Sequence, residues 1–244
     1  MKRAGIKTFK SNKKYQIEGE SIDERLDYCL RYKSLFNQNQ NLINLFVFTD
    51  ESTFYNNKYQ LNYTRSINGS YNNQNNFSNH NNRKFKINVY GILSRYSFSI
   101  YKIDGKFTRE KFRKLLIDDQ LLDYMTTIVG GPLHLIQDNT TLHQFDYDYG
   151  RTLSDECERR NINLIDFPIS SPDLNIIENV WGYLKKNLFN SINTDPVANP
   201  NQLFERILSI SERVITPGFI NNLYGSYNYR LQKVIESGGN LINY

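Results

Sequence analysis

The chain has 244 residues, 39% of them hydrophobic and 23% charged, enough apolar content to bury a core as one domain with appendages. Its formal charge of +5 and pI near 9.0 suit a nucleic-acid partner, although such a surplus is also ordinary at this length. Cys29 and Cys157 lie far apart, which argues against a disulfide framework or a four-ligand zinc site and fits a reducing, intracellular setting; no apolar run approaches bilayer-spanning length and the N-terminus is basic without an apolar segment, which argues against membrane insertion and secretion.

Between Lys2 and Ile17 stand six basic residues (Lys2, Arg3, Lys7, Lys10, Lys13 and Lys14) and no acidic one, with Phe9 and Tyr15 interleaved. That segment could lie along a phosphate backbone or be a solvated tail. Ser21 and Glu24 have capping-box spacing, and Ile22, Leu26, Cys29 and Leu30 recur at helical intervals, so a helix is expected from Ile22 to Leu35. Leu45 to Phe48 reads as a buried strand ending near Asp50. Asn56 to Asn82 is rich in Asn, Tyr and Ser without a steady period, which predicts an excursion with at most one short hairpin. Strands follow at Phe85 to Val89 and Phe98 to Ile103, then a turn at Asp104-Gly105 and a helix from Arg109 to about Tyr124, with Thr108 as N-cap and Phe107 stapled to Phe112.

Leu133 to Ile136 is a further apolar strand, ending near Asp138. A short helix near Leu153 to Arg160 and a strand from Asn163 to Phe167 come next. In SPDLNIIENVWGYLKK, Ser171 or Asp173 can cap a helix whose buried stripe is Ile176, Ile177, Val180, Trp181 and Leu184, with Glu178 at the margin of the stripe. Pro196 and Pro200 flank a polar break before two more helices, Gln202 to Val214 and Pro217 to Ser237, the second stopped by Gly238-Gly239. The order of elements predicts an α/β fold: a ribonuclease H-like mixed five-stranded sheet flanked by helices, with helical N- and C-terminal extensions.

Three acids stand out: Asp50 in LFVFTDES, Asp138 in LHLIQDN and Glu178 in SPDLNIIENVW. Each alone has an ordinary reading as a turn residue, a loop opening or a surface helix position. Together they suggest a site, because three carboxylates at one point cannot all ionise comfortably unless cations sit between them. The constellation therefore implies a metal.

These segments resemble a known family. QDNTTLH (Gln137 to His143) is similar to the QDNDPKH motif of Tc/mariner superfamily transposases, and SPDLNIIENVW (Ser171 to Trp181) to their SPDLNPIENLW. FTDES (Phe48 to Ser52) resembles the surroundings of their first catalytic aspartate. Softer matches are VYGILS (Val89 to Ser94), IDGKFTREKF (Ile103 to Phe112) and the closing SYNYRLQKVIESGGNLINY. The resemblance runs from about Ala4 to the last residue and implies a DDE-type catalytic domain with Asp50, Asp138 and Glu178 as catalytic residues and ligands of two Mg²⁺ or Mn²⁺ ions. It implies cleavage of DNA at transposon ends, strand transfer of the freed 3′-OH into target DNA during transposition and integration, a homodimer on DNA, and a nuclear location. Asn139, His143, Asn175 and Asn179 are candidates for supporting the acids or touching DNA, and the N-terminal basic residues are candidates for DNA binding.

The chain departs from the family pattern in three places. The interval between Asp138 and Glu178 holds 39 residues, more than common members have, with the extra length in HQFDYDYGRTLSDECERR. Asn72 to Asn82 replaces a glycine-rich stretch, and of the paired helix-turn-helix units only a remnant, about Met1 to Tyr15, has a counterpart. The expected division is 1–40 as DNA-binding remnant and connector helix, 41–190 as catalytic domain and 191–244 as helical extension. The alternatives are a non-catalytic DNA-binding protein derived from a transposase, and a structure-specific nuclease on the same fold.

Overall fold

A computed structural model of the chain describes residues 7–10, 19–56, 63–66, 85–138, 146–147 and 151–243. Strand β1 (Lys7–Lys10) precedes helix α1 (Gly19–Gln38), a 3₁₀ turn (Gln40–Leu45) and the long strand β2 (Phe46–Tyr55). Strand β3 (Tyr63–Ser66) pairs antiparallel with β1, so the described part of the Asn-rich excursion pairs with the basic N-terminal segment. Strands β4 (Lys86–Leu93) and β5 (Phe98–Ile103) complete a meander with β2.

The helix expected from Arg109 to Tyr124 is broken. Helix α2 (Arg109–Arg113) widens into a π-helical turn (Lys114–Asp118), Gln120 takes a left-handed backbone at φ 56°, and α3 (Leu121–Val129) starts anew. Leu115, Leu116, Leu121 and Leu122 are all buried, and the break lets both pairs of leucines face the sheet, which one continuous helix could not do. Thr108 caps α2 by accepting from the Lys111 amide, and Phe107 meets Phe112 edge-on at 5.5 Å, as the sequence led us to expect.

Strand β6 (Leu133–Ile136) is followed by a small ladder of β7 (Asp146–Tyr147) with β8 (Arg151–Thr152), then α4 (Leu153–Arg159) and β9 (Ile162–Leu164). A capping box between Thr152 and Asp155 starts α4. Helices α5 (Ile177–Thr194), α6 (Pro200–Val214) and α7 (Pro217–Glu236) close the chain. Both α6 and α7 begin with proline behind an N-cap side chain, Asn199 and Thr216.

The central sheet has the order β5-β4-β2-β6-β9, antiparallel on one side of β2 and parallel on the other, which is the mixed five-stranded sheet expected. Alternation along β2 divides two cores. Phe46, Phe48 and Phe54 face a large core built with α1, α5, α6 and α7, whereas Val47 faces a smaller one with α2, α3 and α4. In α1, Tyr28, Tyr32 and Phe36 recur every fourth residue and pack on Phe46 and Tyr227, so this helix shares the large core.

Candidate active site

Strand register fixes where the first two acids stand. β2 and β6 run parallel with Phe48 opposite Ile136, and each strand carries its acid two residues further on, Asp50 and Asp138. An even step along β2 keeps Asp50 on the face of Phe48, toward the side of the sheet that α5 covers, while Asp138 follows two residues past the end of β6. The sequence put Asp50 at a strand end; instead β2 continues to Tyr55, and it is β6 that stops at Ile136. Asp50 thus sits on a fully formed strand whose parallel neighbour has just ended. Glu178 comes from the opposite layer, in the first turn of α5.

A glycine and a tryptophan join these layers. Gly91 on β4 lies directly across from Asp50 in the antiparallel register. A Cβ there would fall inside the Trp181 indole, so the missing side chain is the slot in which the ring lies. From that slot Trp181 Nε1 donates to Asp50 Oδ2 at 2.9 Å. Phe54 and Phe98 hold the indole edge-on at 6.0 and 5.6 Å, leaving it 1% exposed. The rotamer of Asp50 is therefore set by a buried aromatic one turn along α5 from Glu178.

The charges in this space are coupled. Burial pushes the Asp50 carboxyl up to about 8, with the Glu178 and Glu51 charges adding to the rise and the Trp181 N–H opposing it. Desolvation by the protein around it raises Glu178 as well, with Lys185 opposing and Asp138 adding; this residue remains solvent-accessible, so its shift is the softer of the two. Lys185 lies two turns beyond Glu178 on the same face, half-buried, with Nζ 5.5 Å from the Phe54 ring centre. Burial lowers its ammonium while Glu178 and Asp50 pull the other way.

Two buried amides adjoin the acids. Asn175 Nδ2 donates to the carbonyl of Thr49, next to Asp50, at 3.4 Å, while its Oδ1 meets no partner among the described residues. Gln137, beside Asp138, is 7% exposed and its Oε1 is likewise unpartnered. Among the described residues no three His, Cys, Asp or Glu side chains form a ready-made cation cage. The acids stand instead as coupled pairs, Asp50 with Glu178 and Glu178 with Asp138. The donor set fits a hard divalent ion: carboxylates from β2, from the segment after β6 and from α5, with neutral amide oxygens that have no partner among the described residues beside them.

Residues 45–197 match the family model described as DDE superfamily endonuclease. The chain belongs to that family. The Tc3 transposase of Caenorhabditis elegans is 29% identical over 157 residues, which are 64% of this chain and 45% of that protein. The Tcb2 transposase of Caenorhabditis briggsae is 26% identical over 152 residues, 62% of this chain and 52% of that one. The chain thus spans about half the length of the curated relatives it matches. The crystal structure of the catalytic domain of Mos1 mariner transposase superposes with a TM-score of 0.67 at 13% identity, covering 94% of this chain and 98% of that one. A Mos1 paired-end complex with the left transposon end gives 0.69, covering 94% and 66%. The expected ribonuclease H-like fold and the Tc1/mariner resemblance are both borne out.

Within this family member the segment before α5 corrects one expectation. Neither Ser171 nor Asp173 caps the helix, which begins behind Ile176 without a side-chain cap. Asp173 instead takes both arms of Arg25, Nη1 to Oδ1 at 2.9 Å and Nη2 to Oδ2 at 2.7 Å, and also accepts from the Ile242 amide. Arg25 Nε donates to the Gly239 carbonyl at 2.8 Å, and Arg230 donates to the Asp173 carbonyl at 3.0 Å. This clasp joins α1, the SPDLN turn and the C-terminal tail. Its charged side chains are 0% and 6% exposed, and Gly239, at φ 86°, presses so closely on the Ile22 carbonyl that a side chain would not fit.

Of the remaining candidates, Asn179 is half-buried on α5, with its amide donating to the Ile176 carbonyl. Asn139, His143, Lys2, Arg3, Lys13 and Lys14 lie outside the described residues, and Lys7 and Lys10 belong to β1. Sequence reasoning missed Gly91, Gln137 and Lys185. Gly91 carried a signal, a lone glycine inside a strand pattern; Lys185 had only its spacing from Glu178.

Proposed function

We propose that Asp50, Asp138 and Glu178 are the catalytic residues of a transposase catalytic domain, which cuts DNA at transposon ends and joins the freed 3′-OH to target DNA. The observation that carries this reading is Asp50 itself, locked by Trp181 on the α5-facing side of the sheet and electrostatically coupled to Glu178, which is coupled in turn to Asp138. The three acids would hold two divalent ions, Mg²⁺ or Mn²⁺, which supply activation of the attacking oxygen and stabilisation of the leaving one in an in-line displacement at phosphorus. The protein's own part is positioning. Trp181 fixes the Asp50 rotamer, Asn175 ties the SPDLN turn to β2 through the Thr49 carbonyl, and the Arg25–Asp173 clasp holds the start of the Glu178 helix.

Related solved structures support the metal and the DNA. Mos1 catalytic domain structures exist with Raltegravir and Mn or Mg, and other Mos1 structures are a paired-end complex and a strand transfer complex. For this chain we infer terminal inverted repeats and target DNA as partners, a homodimer on DNA and a nuclear location, with residues 41–190 as the catalytic unit. Among the described residues no helix is long and apolar enough to cross a membrane.

The deciding experiment mixes the protein with a labelled terminal-repeat duplex and Mn²⁺. Nicking that needs the metal and disappears in Asp138→Asn is expected. Nicking that survives that substitution would refute the assignment of the acids, and salt-sensitive binding without turnover across metals would point to a DNA-binding role alone.

A further inference from the structure

A groove of about 320 Å³ runs between the outer face of α1 and the segment that leaves β9. Residues 24, 27, 28 and 31 of α1 line it at i, i+3, i+4 and i+7, so they form one face of the helix. Its rim is acidic. Glu24 and Asp27 on α1 and Asp166 after β9 are exposed, and none of the three forms a salt bridge among the described residues. Against these three carboxylates the lining sets one guanidinium, Arg31, which leaves a net charge of −2 in a chain whose total is +5. Its floor is aromatic: the Tyr28 ring centre lies 4.5 Å from that of Tyr32 and 5.5 Å from that of Phe167, and all three residues are buried. The Tyr28 hydroxyl is paired with that of Tyr227 at 2.8 Å. Tyr32 is only 6% exposed, yet its hydroxyl has no hydrogen-bond partner among the described residues. What the floor accepts is visible in Arg31, whose Cζ lies 5.7 Å from the Tyr32 ring centre.

We infer that this groove is an interaction surface that takes an arginine from an extended basic segment of another protein. The arriving guanidinium displaces Arg31, lies on the aromatic floor, and donates to the rim carboxylates and the Tyr32 hydroxyl. DNA does not suit the place, because an acidic rim repels a phosphate backbone. A free cation is too small for it. From Glu24 to Arg31 the groove follows two helical turns, about 10 Å, and Ile169 forms a wall that is 49% exposed, which the neighbours of the arginine in a peptide cover. The inference is independent of the transposase reading.

The test follows the fluorescence anisotropy of a labelled peptide, Ala-Leu-Arg-Ala-Arg-Ala, titrated with the full chain at low salt, and thermal melts verify that each variant is folded. Saturable binding is expected. Combining Glu24→Gln, Asp27→Asn and Asp166→Asn should weaken it about tenfold, as the loss of three exposed ion pairs predicts. Tyr32→Phe, which keeps the ring, should weaken it about threefold. Arg31→Gln should tighten it about threefold, since the resident guanidinium and a repelling charge are both removed. Lysine in place of both peptide arginines should cost about fivefold, and Asp138→Asn should bind as the parent does, which separates this groove from the acids of the candidate active site. Absence of saturable binding, equal binding of a peptide with glutamate for arginine, an unchanged affinity in the triple variant, or weaker binding by Arg31→Gln overturns the inference. Arginine amide binding as tightly as the peptide would assign the groove to a small molecule and overturn it too. So would self-association of the parent that the triple variant abolishes, because the groove would then belong to a second copy.

Discussion

Asp50→Asn is expected to stabilise the metal-free protein while abolishing cleavage. Asparagine keeps an oxygen to accept from Trp181 Nε1 and removes the charge that burial and Glu178 disfavour. The folded carboxyl binds its proton more tightly than the unfolded one, so the folded state is favoured at low pH and loses that advantage as pH rises from the ordinary value of 3.8 through about 8. At neutral pH the mismatch amounts to about 4 kcal/mol at most, and partial exposure with solvent screening brings the expected gain of the variant nearer about 2 kcal/mol. For a chain of this size that is a rise in Tm of about 4–8 °C. The assay is a thermal melt in EDTA across pH: the variant should lead at neutral pH, and the gap should close near pH 4, where both side chains are neutral. Adding Mn²⁺ should reverse the order, because a ligand at about 100 times its Kd stabilises the parent by about 2.7 kcal/mol and has lost a ligand in the variant. Equal melts at neutral pH, or a gap that widens on acidification, would refute the claim that Asp50 is held in a strained electrostatic position.

Gly91→Ala should cost about 1–3 kcal/mol, because the added Cβ must displace the Trp181 ring, and should depress nicking further than the stability loss explains by releasing Asp50. Urea unfolding and Mn²⁺-dependent nicking of the same preparation separate the two effects. Arg25→Met leaves the Asp173 carboxylate buried without its partner and should cost about 3–5 kcal/mol, whereas Arg25→Met with Asp173→Asn should recover part of that loss; a double variant no better than the single one would show that the clasp is not an electrostatic unit.

What the sequence made legible, and what it hid, divides along a physical line. The mixed sheet and the helix that carries Glu178 were readable because alternation in β2 and β4 and the 3.6 period in α5 are local patterns. Asp173 was misassigned because a carboxylate before a helix has a common local role, capping, and nothing near it in sequence announces a guanidinium 148 residues away. The break at Gln120 was missed for a related reason: a left-handed backbone is uncommon for a residue with a side chain and nothing in the local pattern announces it, whereas here it brings two separate leucine pairs onto one sheet. Lys185 was passed over since lysines on a helix usually face solvent, and only the packing of Phe54 beneath it marks this one as held.

The same contrast explains how an interval of 39 residues between Asp138 and Glu178 is compatible with the coupling between those two residues. The segment leaves the sheet after β6, makes the β7–β8 ladder and α4, and returns as β9 in register with the strand it left, Leu133 opposite Ile162. Parallel pairing of β6 with β9 fixes the return point whatever the length of the excursion, since lengthening a surface loop costs only the logarithm of its length. The position of Glu178 is then set by two long-range joints, the Gly91–Trp181 slot at the first turns of α5 and the Arg25–Asp173 clasp just before it. The second joint draws on residues 25, 173, 230, 239 and 242, so the geometry of the acids depends on both the first helix and the C-terminal tail.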